Sequence, residues 1–274
     1  PLIVFCALLM LAPFAAKAGE AAPNSAPQSA TDFTLRNGLK VIFLPTPQSE
    51  VTVVNFVTPQ AALRQTDAQA GIEQLMMTLL TQGTARYPKA YFDRELERRG
   101  TTLNGTAMRD YSALHLSTVA PFLADSLALM AEALRSANFP TAEFENERQA
   151  MLSALRAKKD SPDANLALVL NDRYFAGHPY HPDLDGSEAS LKAMTRAQVA
   201  EFHAKWLKSP NAFVVVVGPF VRADLEPLLN KTLGKLPPAA KGDPAPVPPL
   251  NPQVQELVRV DKNIPTRYIT ARFT

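Results

Sequence analysis

The sequence predicts an α+β domain in which a mostly antiparallel sheet packs against helices. Runs rich in β-branched residues stand near the beginning, in the middle and near the end of the first 236 residues. Segments with helical periodicity lie between these runs. Asn37-Gly38 separates the first two runs, and this dipeptide is typical of a tight hairpin and therefore of antiparallel pairing.

Length and composition limit the classes of function. The chain has 274 residues, enough for one large domain or two small ones. Apolar residues make up 46% and charged residues 20%, which is ordinary for a globular protein. A net charge of +2 gives no electrostatic reason to expect nucleic-acid binding, because such binding needs a concentrated basic surface.

Residues 1–18 have the pattern of a secretory signal peptide, clipped at its start. An apolar core is followed by small residues at Ala16 and Ala18, and it is shorter than the about 20 residues that a membrane span needs. We therefore expect no membrane span after cleavage. The only cysteine, Cys6, lies in this core, and Val4-Phe5 before it disfavour a lipid anchor.

After signal cleavage the chain would contain no cysteine. This excludes a thiol nucleophile, disulfides and thiolate metal ligands. It also fits a periplasmic protein or one otherwise exported to the bacterial envelope. Residues 19–31 are mostly Ala, Pro, Ser and Gln, so we expect a disordered spacer, with order beginning at Asp32.

The first strands flank the Asn37-Gly38 turn. Strands are predicted over 33–36 and 39–44, with both turn residues at positive φ. A third strand is predicted over 51–57 from its β-branched residues.

A short amphipathic helix follows within residues 70–84, ending on a left-handed cap at Gly83. Its buried face is predicted from the helical spacing of Ile72, Leu75, Met76, Leu79 and Leu80. Another side of the same helix carries Gln74, Met77, Thr78 and Thr81.

The remaining elements complete a domain over 32–236. A capping box at Thr195 starts one helix. An apolar run over 213–218 predicts a central strand covered on both faces. Further helices are predicted over 88–99, 121–137, 141–159, 162–177 and 221–233, and further strands over 101–107 and 111–119.

The domain is followed by a proline-rich linker over 237–253, too stiff and too poor in donors for a helix or inner strand. Residues 254–274 are predicted to be the first strands of a second, truncated domain, with strands over 254–260 and 268–273.

The sequence contains no common nucleophile or phosphate-binding motif: G-x-S-x-G, the Walker loop and G-x-G-x-x-G are absent. His178 and His181 are separated by two residues, a spacing that metal ligands can have. Their loop offers no third ligand of obvious spacing, so a structural role is favoured. His115 and His203 are interpreted as packing or capping residues. The glutamates at 143, 145 and 147 are explained by the dipole at a helix start.

Several phrases resemble the insulinase/pitrilysin zinc peptidases, which include the mitochondrial processing peptidase. They occur in the family's order over about 32–236. Predicted strands resume near 254, where the family has a second homologous domain. The phrases are Asn37-Gly38-Leu39-Lys40-Val41, Gly71-Ile72 with Gly83-Thr84, Phe139-Pro140 with Glu147-Arg148, Gly177-His178-Pro179-Tyr180, Phe202-His203 and Asn211.

Active members carry H-x-x-E-H on a helix, in which two histidines hold zinc and the glutamate acts as base on zinc-bound water. By this resemblance, the histidine positions are Gln74 and Thr78 and the base position is Met77. The third ligand, seven residues after Glu147, falls at Ala154. The resemblance therefore implies the fold and contradicts the activity.

The expectation is a non-catalytic subunit with no catalytic residue, no metal and no cofactor of its own. Gln74, Met77, Thr78, Glu147 and Ala154 would mark the degenerate site and line its cleft. The expected partners are a histidine-bearing zinc-peptidase subunit, as a heterodimer, and peptide substrate. The alternatives are a stand-alone peptide-binding or scaffolding envelope protein and, less favoured, an active zinc endopeptidase.

Overall fold

A computed structural model of the chain describes residues 29–208, 211–238, 246–250, 259–260 and 266–272. The signal peptide predicted over 1–18 and most of the spacer lie outside this part. The first strand begins at Thr31, one residue before the predicted start of order.

The core is one six-stranded sheet with the order β1-β2-β6-β3-β5-β4. Every neighbouring pair is antiparallel except β2 and β6, which are parallel. The α+β prediction with a mostly antiparallel sheet is therefore confirmed. The strands are β1 (Thr31–Thr34), β2 (Lys40–Pro45), β3 (Val51–Pro59), β4 (Thr102–Ala107), β5 (Tyr111–Val119) and β6 (Phe213–Gly218).

The turn between β1 and β2 differs from the prediction. Gly38 has φ of 87°, but Asn37 does not have positive φ, and the connection is five residues long, 35–39. Asn37 instead donates through Nδ2 to the carbonyl oxygens of Leu233 and Leu236 at 3.0 and 3.2 Å. Tertiary hydrogen bonds to the end of the domain thus fix this turn, so the two-residue hairpin is wrong.

Strand β6 lies inside the sheet, as expected, but only one of its faces is fully buried. Val214 and Val216 are inaccessible, whereas Phe213, Val215 and Val217 are partly exposed. The prediction that both faces are covered is wrong for the described residues. An apolar run alone could not distinguish a fully covered strand from one whose second face is half open.

Eight α-helices occur in the described part of the chain. Most predicted helices are confirmed to within a few residues, but α1 ends at Leu79, before the Gly83 cap that the sequence suggested. They are α1 (Ile72–Leu79), α2 (Lys89–Glu97), α3 (Leu123–Ser136), α4 (Thr141–Asp160), α5 (Pro162–Tyr174), α6 (Glu188–Ala193), α7 (Arg196–Trp206) and α8 (Arg222–Lys231).

Helix α6 was missed because it is too short to show a periodic stripe. A capping box starts it: the Ser187 hydroxyl accepts from the Ser190 N–H, and the Ser190 hydroxyl accepts from the Ser187 N–H. The same arrangement at Thr195 and Gln198 starts α7, as predicted.

Beyond residue 236 the described segments contain no helix or strand. Of the predicted proline-rich linker, only 237–238 and 246–250 are described. Residues 254–258 and 273 lie outside the described part, but 259–260 and 268–272 are not strands, so those predictions are wrong there. Among the described residues no strand pairs with 268–272, and Arg272 donates to Asn171 Oδ1 at 2.8 Å.

No helix in the described segments is both long and apolar enough to cross a bilayer.

Candidate functional site

Helix α1 carries the positions at which the resemblance places a zinc site. It packs against β4, α4 and α7, and its apolar face is buried as predicted. Gly71, with φ of 89°, precedes it, and a Cβ there would lie 2.9 Å from the Gly186 backbone. The Ser190 hydroxyl donates to the Ala70 carbonyl at 2.8 Å. The start of α1 is therefore fixed by the segment around α6.

The two residues that the resemblance places at the histidine positions are hydrogen-bonded to each other. Gln74 Nε2 donates to the Thr78 hydroxyl at 3.2 Å, and that hydroxyl donates to the main-chain carbonyl oxygen of Gln74 at 3.1 Å. Gln74 Oε1 accepts from the Ala107 N–H at 3.2 Å. Both side chains are half-buried, and their polar atoms are occupied by bonds to the helix and the edge strand β4.

Met77, at the base position, is fully buried. The backbone of β4 lies so close that a Cβ on Gly105 would be 2.1 Å from the Met77 carbonyl oxygen. Only glycine fits at this crossing of helix and strand. Met77 therefore packs in the core and does not present its thioether to an open cleft, which differs from its expected cleft-lining position.

Glu73, next to these positions, has its own buried network. Its carboxylate accepts from the Arg64 guanidinium and from the Ser112 hydroxyl, the latter at 2.6 Å. Trp206 Nε1 donates to that hydroxyl at 2.9 Å. Glu73 lies three residues before Met76 and seven before Leu80, so helical spacing could have placed it on the buried face.

Helix α4 carries Glu147, Arg148 and Ala154. Ala154 is exposed and Glu147 half-buried, and no hydrogen bond or ion pair joins Glu147 to another described residue. Arg148 pairs with Glu145 and donates to the Met194 carbonyl at 3.2 Å, just beyond α6. Of the Glu147-Arg148 motif, Arg148 thus has a structural role, because it links α4 to the end of α6.

These side chains do not fit zinc. An amide and a hydroxyl that already bond to each other are poor ligands, a buried thioether cannot accept a proton from water, and a methyl group cannot coordinate. Among the described residues no group of three His, Cys, Asp or Glu side chains is arranged to hold a metal ion.

Two histidines are structural, as expected. His203 is buried, and its Nε2 donates to the Leu134 carbonyl at 2.9 Å. Burial lowers the pKa of His203. His115 Nδ1 lies 2.7 Å from Asn55 Oδ1 across β5 and β3.

The loop histidines tie the segment after α5 to the rest of the domain. His181 bridges Asp67 and Asp172 at 2.9 and 3.1 Å, and the hydrogen bond to Asp67 raises the pKa of His181. His178 Nδ1 accepts from the Tyr180 N–H at 3.0 Å, and its Nε2 lies 3.0 Å from the Pro248 carbonyl. Neither ring contacts a residue of the α1 site.

Two family models match the chain. Residues 43–188 match the family described as Insulinase (Peptidase family M16), and residues 193–274 match Peptidase M16 inactive domain. The first match alone covers more than half of the chain.

Named relatives share part of this sequence. The chain is 28% identical over 187 residues to a zinc protease, PqqE, of Helicobacter pylori, which covers 68% of this chain and 42% of that protein. It is 23% identical over 203 residues to subunit 1 of the human mitochondrial cytochrome b-c1 complex, covering 74% of this chain and 42% of the relative. The chain thus spans about two-fifths of the length of these relatives.

Solved structures share the fold. A protease from Helicobacter pylori superposes with a TM-score of 0.71 at 25% identity, over 81% of this chain and 54% of that chain. The Escherichia coli periplasmic protease PqqL superposes with a TM-score of 0.71 at 20% identity, over 81% of this chain and 26% of that chain. The family match, the relatives and the fold agree, and the chain belongs to the insulinase family, peptidase family M16.

Proposed function

We propose that this protein is a non-catalytic subunit of a periplasmic insulinase-type metallopeptidase. In this role it completes the substrate chamber and binds peptide for a histidine-bearing H-x-x-E-H partner. The observation that carries the proposal is the Gln74–Thr78 hydrogen bond, because it occupies both positions at which this family holds zinc. Zinc is expected only in the partner subunit.

By the family resemblance, zinc-binding and catalytic side chains are missing at all four positions: the two histidines, the base and the third ligand. Met77 is buried at the base position, and Ala154 has no donor atom at the third ligand position. A single substitution could be offset by a neighbouring side chain. Glu73 cannot do so, because its carboxylate is already paired with Arg64. Peptide binding is therefore the activity that this site can retain.

The sheet offers a place for peptide. Strand β4 is the last in the strand order, and on its outer side no strand pairs with it among the described residues. An extended peptide can add to such an edge through main-chain hydrogen bonds. Gln74 Oε1 already accepts from the Ala107 N–H, so an added strand would lie along 102–106 and begin beside α1.

The comparisons support a subunit role and an exported location. One relative is named as a subunit of a mitochondrial complex, and one structural neighbour is named as a periplasmic protease. The signal-peptide pattern over 1–18 points to the same compartment.

Affinity purification from the native cell tests the proposal. The tagged full chain should recover an H-x-x-E-H member of the family in near-equal amount. Adding this protein to that partner should then increase hydrolysis of a labelled peptide. Recovery of no such partner, together with no gain in hydrolysis, would instead favour the stand-alone scaffold.

A further inference from the structure

A cleft of about 270 Å³ lies between α2, α3 and the end of α8. None of the residues that line it belongs to α1 or α4, so this α2–α3–α8 cleft is separate from the degenerate zinc site. Its floor includes Ala128, Leu129 and Ala131 of α3.

The carboxylates that line the cleft are already neutralised. Glu95 and Asp125 pair with Arg99 at 2.5 and 3.2 Å, and Glu132 pairs with Arg135 at 2.7 Å. These ion pairs stabilise α2 and α3. They leave no unpaired carboxylate in the lining of the cleft to attract a cation.

Three further cations face the same cleft: Arg86, Lys231 and Lys235. Within the described residues, none of the three forms an ion pair with a carboxylate. Lys231 lies at the carboxyl end of α8, where it also complements the helix dipole. That role does not explain why Arg86, from a distant loop, lines the same cleft as Lys231 and Lys235.

Stacked rings hold the arginine in place. The Arg86 guanidinium lies 5.0 Å from the centre of the Tyr87 ring, and Tyr87 stacks on Tyr91 with ring centres 4.8 Å apart. Such cation–π contacts reduce the freedom of a surface arginine. The wall of the cleft is therefore partly preorganised for an anion.

We propose that the α2–α3–α8 cleft binds an acidic peptide segment with at least two carboxylates a few residues apart. The lining has an excess of two positive charges, with five cations against three carboxylates. The three cations without an ion pair to a described carboxylate sit on long side chains from two parts of the chain, Arg86 before α2 and the two lysines at and just after the end of α8, which suits carboxylates spaced along a peptide. This proposal does not depend on the proposed function.

Fluorescence anisotropy with the full chain tests this site. The ligand is a labelled octapeptide of alternating Glu and Gly, in about 50 mM salt so that charges are not fully screened. The wild type should bind this peptide and not its Lys-Gly counterpart. Lys231→Glu with Lys235→Glu should weaken binding about tenfold, which corresponds to about 1.4 kcal/mol. Lys231→Arg with Lys235→Arg should retain it.

The matched control is Lys159→Glu with Lys208→Glu, which changes the net charge equally at exposed sites outside the cleft. It should change the dissociation constant less than about twofold. Equal weakening by both double variants, or no binding by the wild type, would overturn the proposal. So would displacement of the peptide by inorganic triphosphate at lower concentration than by unlabelled peptide.

Discussion

Gln74 Nε2 donates to the Thr78 hydroxyl at 3.2 Å, one helical turn away on α1. The family resemblance assigns these two positions to the zinc-binding histidines of active members. Residues at i and i+4 face the same side of a helix, so the spacing that suits two ligands also suits a side-chain hydrogen bond.

Restoring the ligands should restore metal binding. The variant Gln74→His, Thr78→His and Ala154→Glu should bind about one zinc ion per chain, because it supplies the three protein ligands that zinc needs. Elemental analysis after dialysis measures the content. Gln74→His alone is the control and should retain little zinc. A folded triple variant without zinc would show that the family positions have been placed wrongly.

Gly105 should be intolerant of any side chain. The Cβ of Gly105→Ala would lie 2.1 Å from the Met77 carbonyl, so α1 must move from β4, at a cost of about 1–3 kcal/mol. Urea unfolding measures the loss. Gly234→Ala is the matched control, since the nearest atom to its Cβ is a side-chain oxygen, Asn230 Oδ1, at the longer distance of 3.1 Å. Equal stability of both variants would refute the close approach.

Glu73 should be important for stability rather than chemistry. Its side chain is fully buried and that of Arg64 is 19% exposed, so Glu73→Ala removes the carboxylate that forms an ion pair with a largely buried guanidinium. We expect a loss of about 3–5 kcal/mol in the free energy of unfolding. Replacing both residues, as Arg64→Met with Glu73→Leu, should cost less than Glu73→Ala alone. A double variant less stable than the single one would contradict this.

His181 should make stability depend on pH. Asp67 and Asp172 raise its pKa in the folded state above the unfolded value of about 6.5. Its contribution is therefore fully present below about pH 6.5 and is lost as the pH rises through the raised pKa. The stability difference between wild type and His181→Gln should be larger at pH 6 than at pH 8.5. A difference that grows with pH would contradict the bridge.

Patterns with a single dominant cause could be predicted from the sequence. The buried stripe of α1, the capping box at Thr195 and the strand over Tyr111–Val119 depend on local spacing and were confirmed. The degenerate site was placed by family resemblance, and its positions on α1 and α4 are an interpretation that the zinc variant tests.

Features that depend on distant parts of the chain could not be predicted. The Asn37 turn is set by carbonyl groups almost 200 residues later, at Leu233 and Leu236. Met77 is buried because Gly105 brings β4 against α1, and no local pattern reports that approach. Helical spacing could indicate that Glu73 is buried but could not indicate its partner, because Arg64 ends a four-residue 3-10 helix that is too short to show a periodic pattern.

The most direct test measures zinc and peptide hydrolysis in the purified full chain, alone and with its H-x-x-E-H partner. We expect no retained zinc and no hydrolysis by the chain alone. On mixing, we expect the partner's rate to increase about tenfold, which corresponds to a barrier lower by about 1.4 kcal/mol. One zinc ion bound by the chain alone, with hydrolysis that a chelator abolishes, would contradict the first expectation.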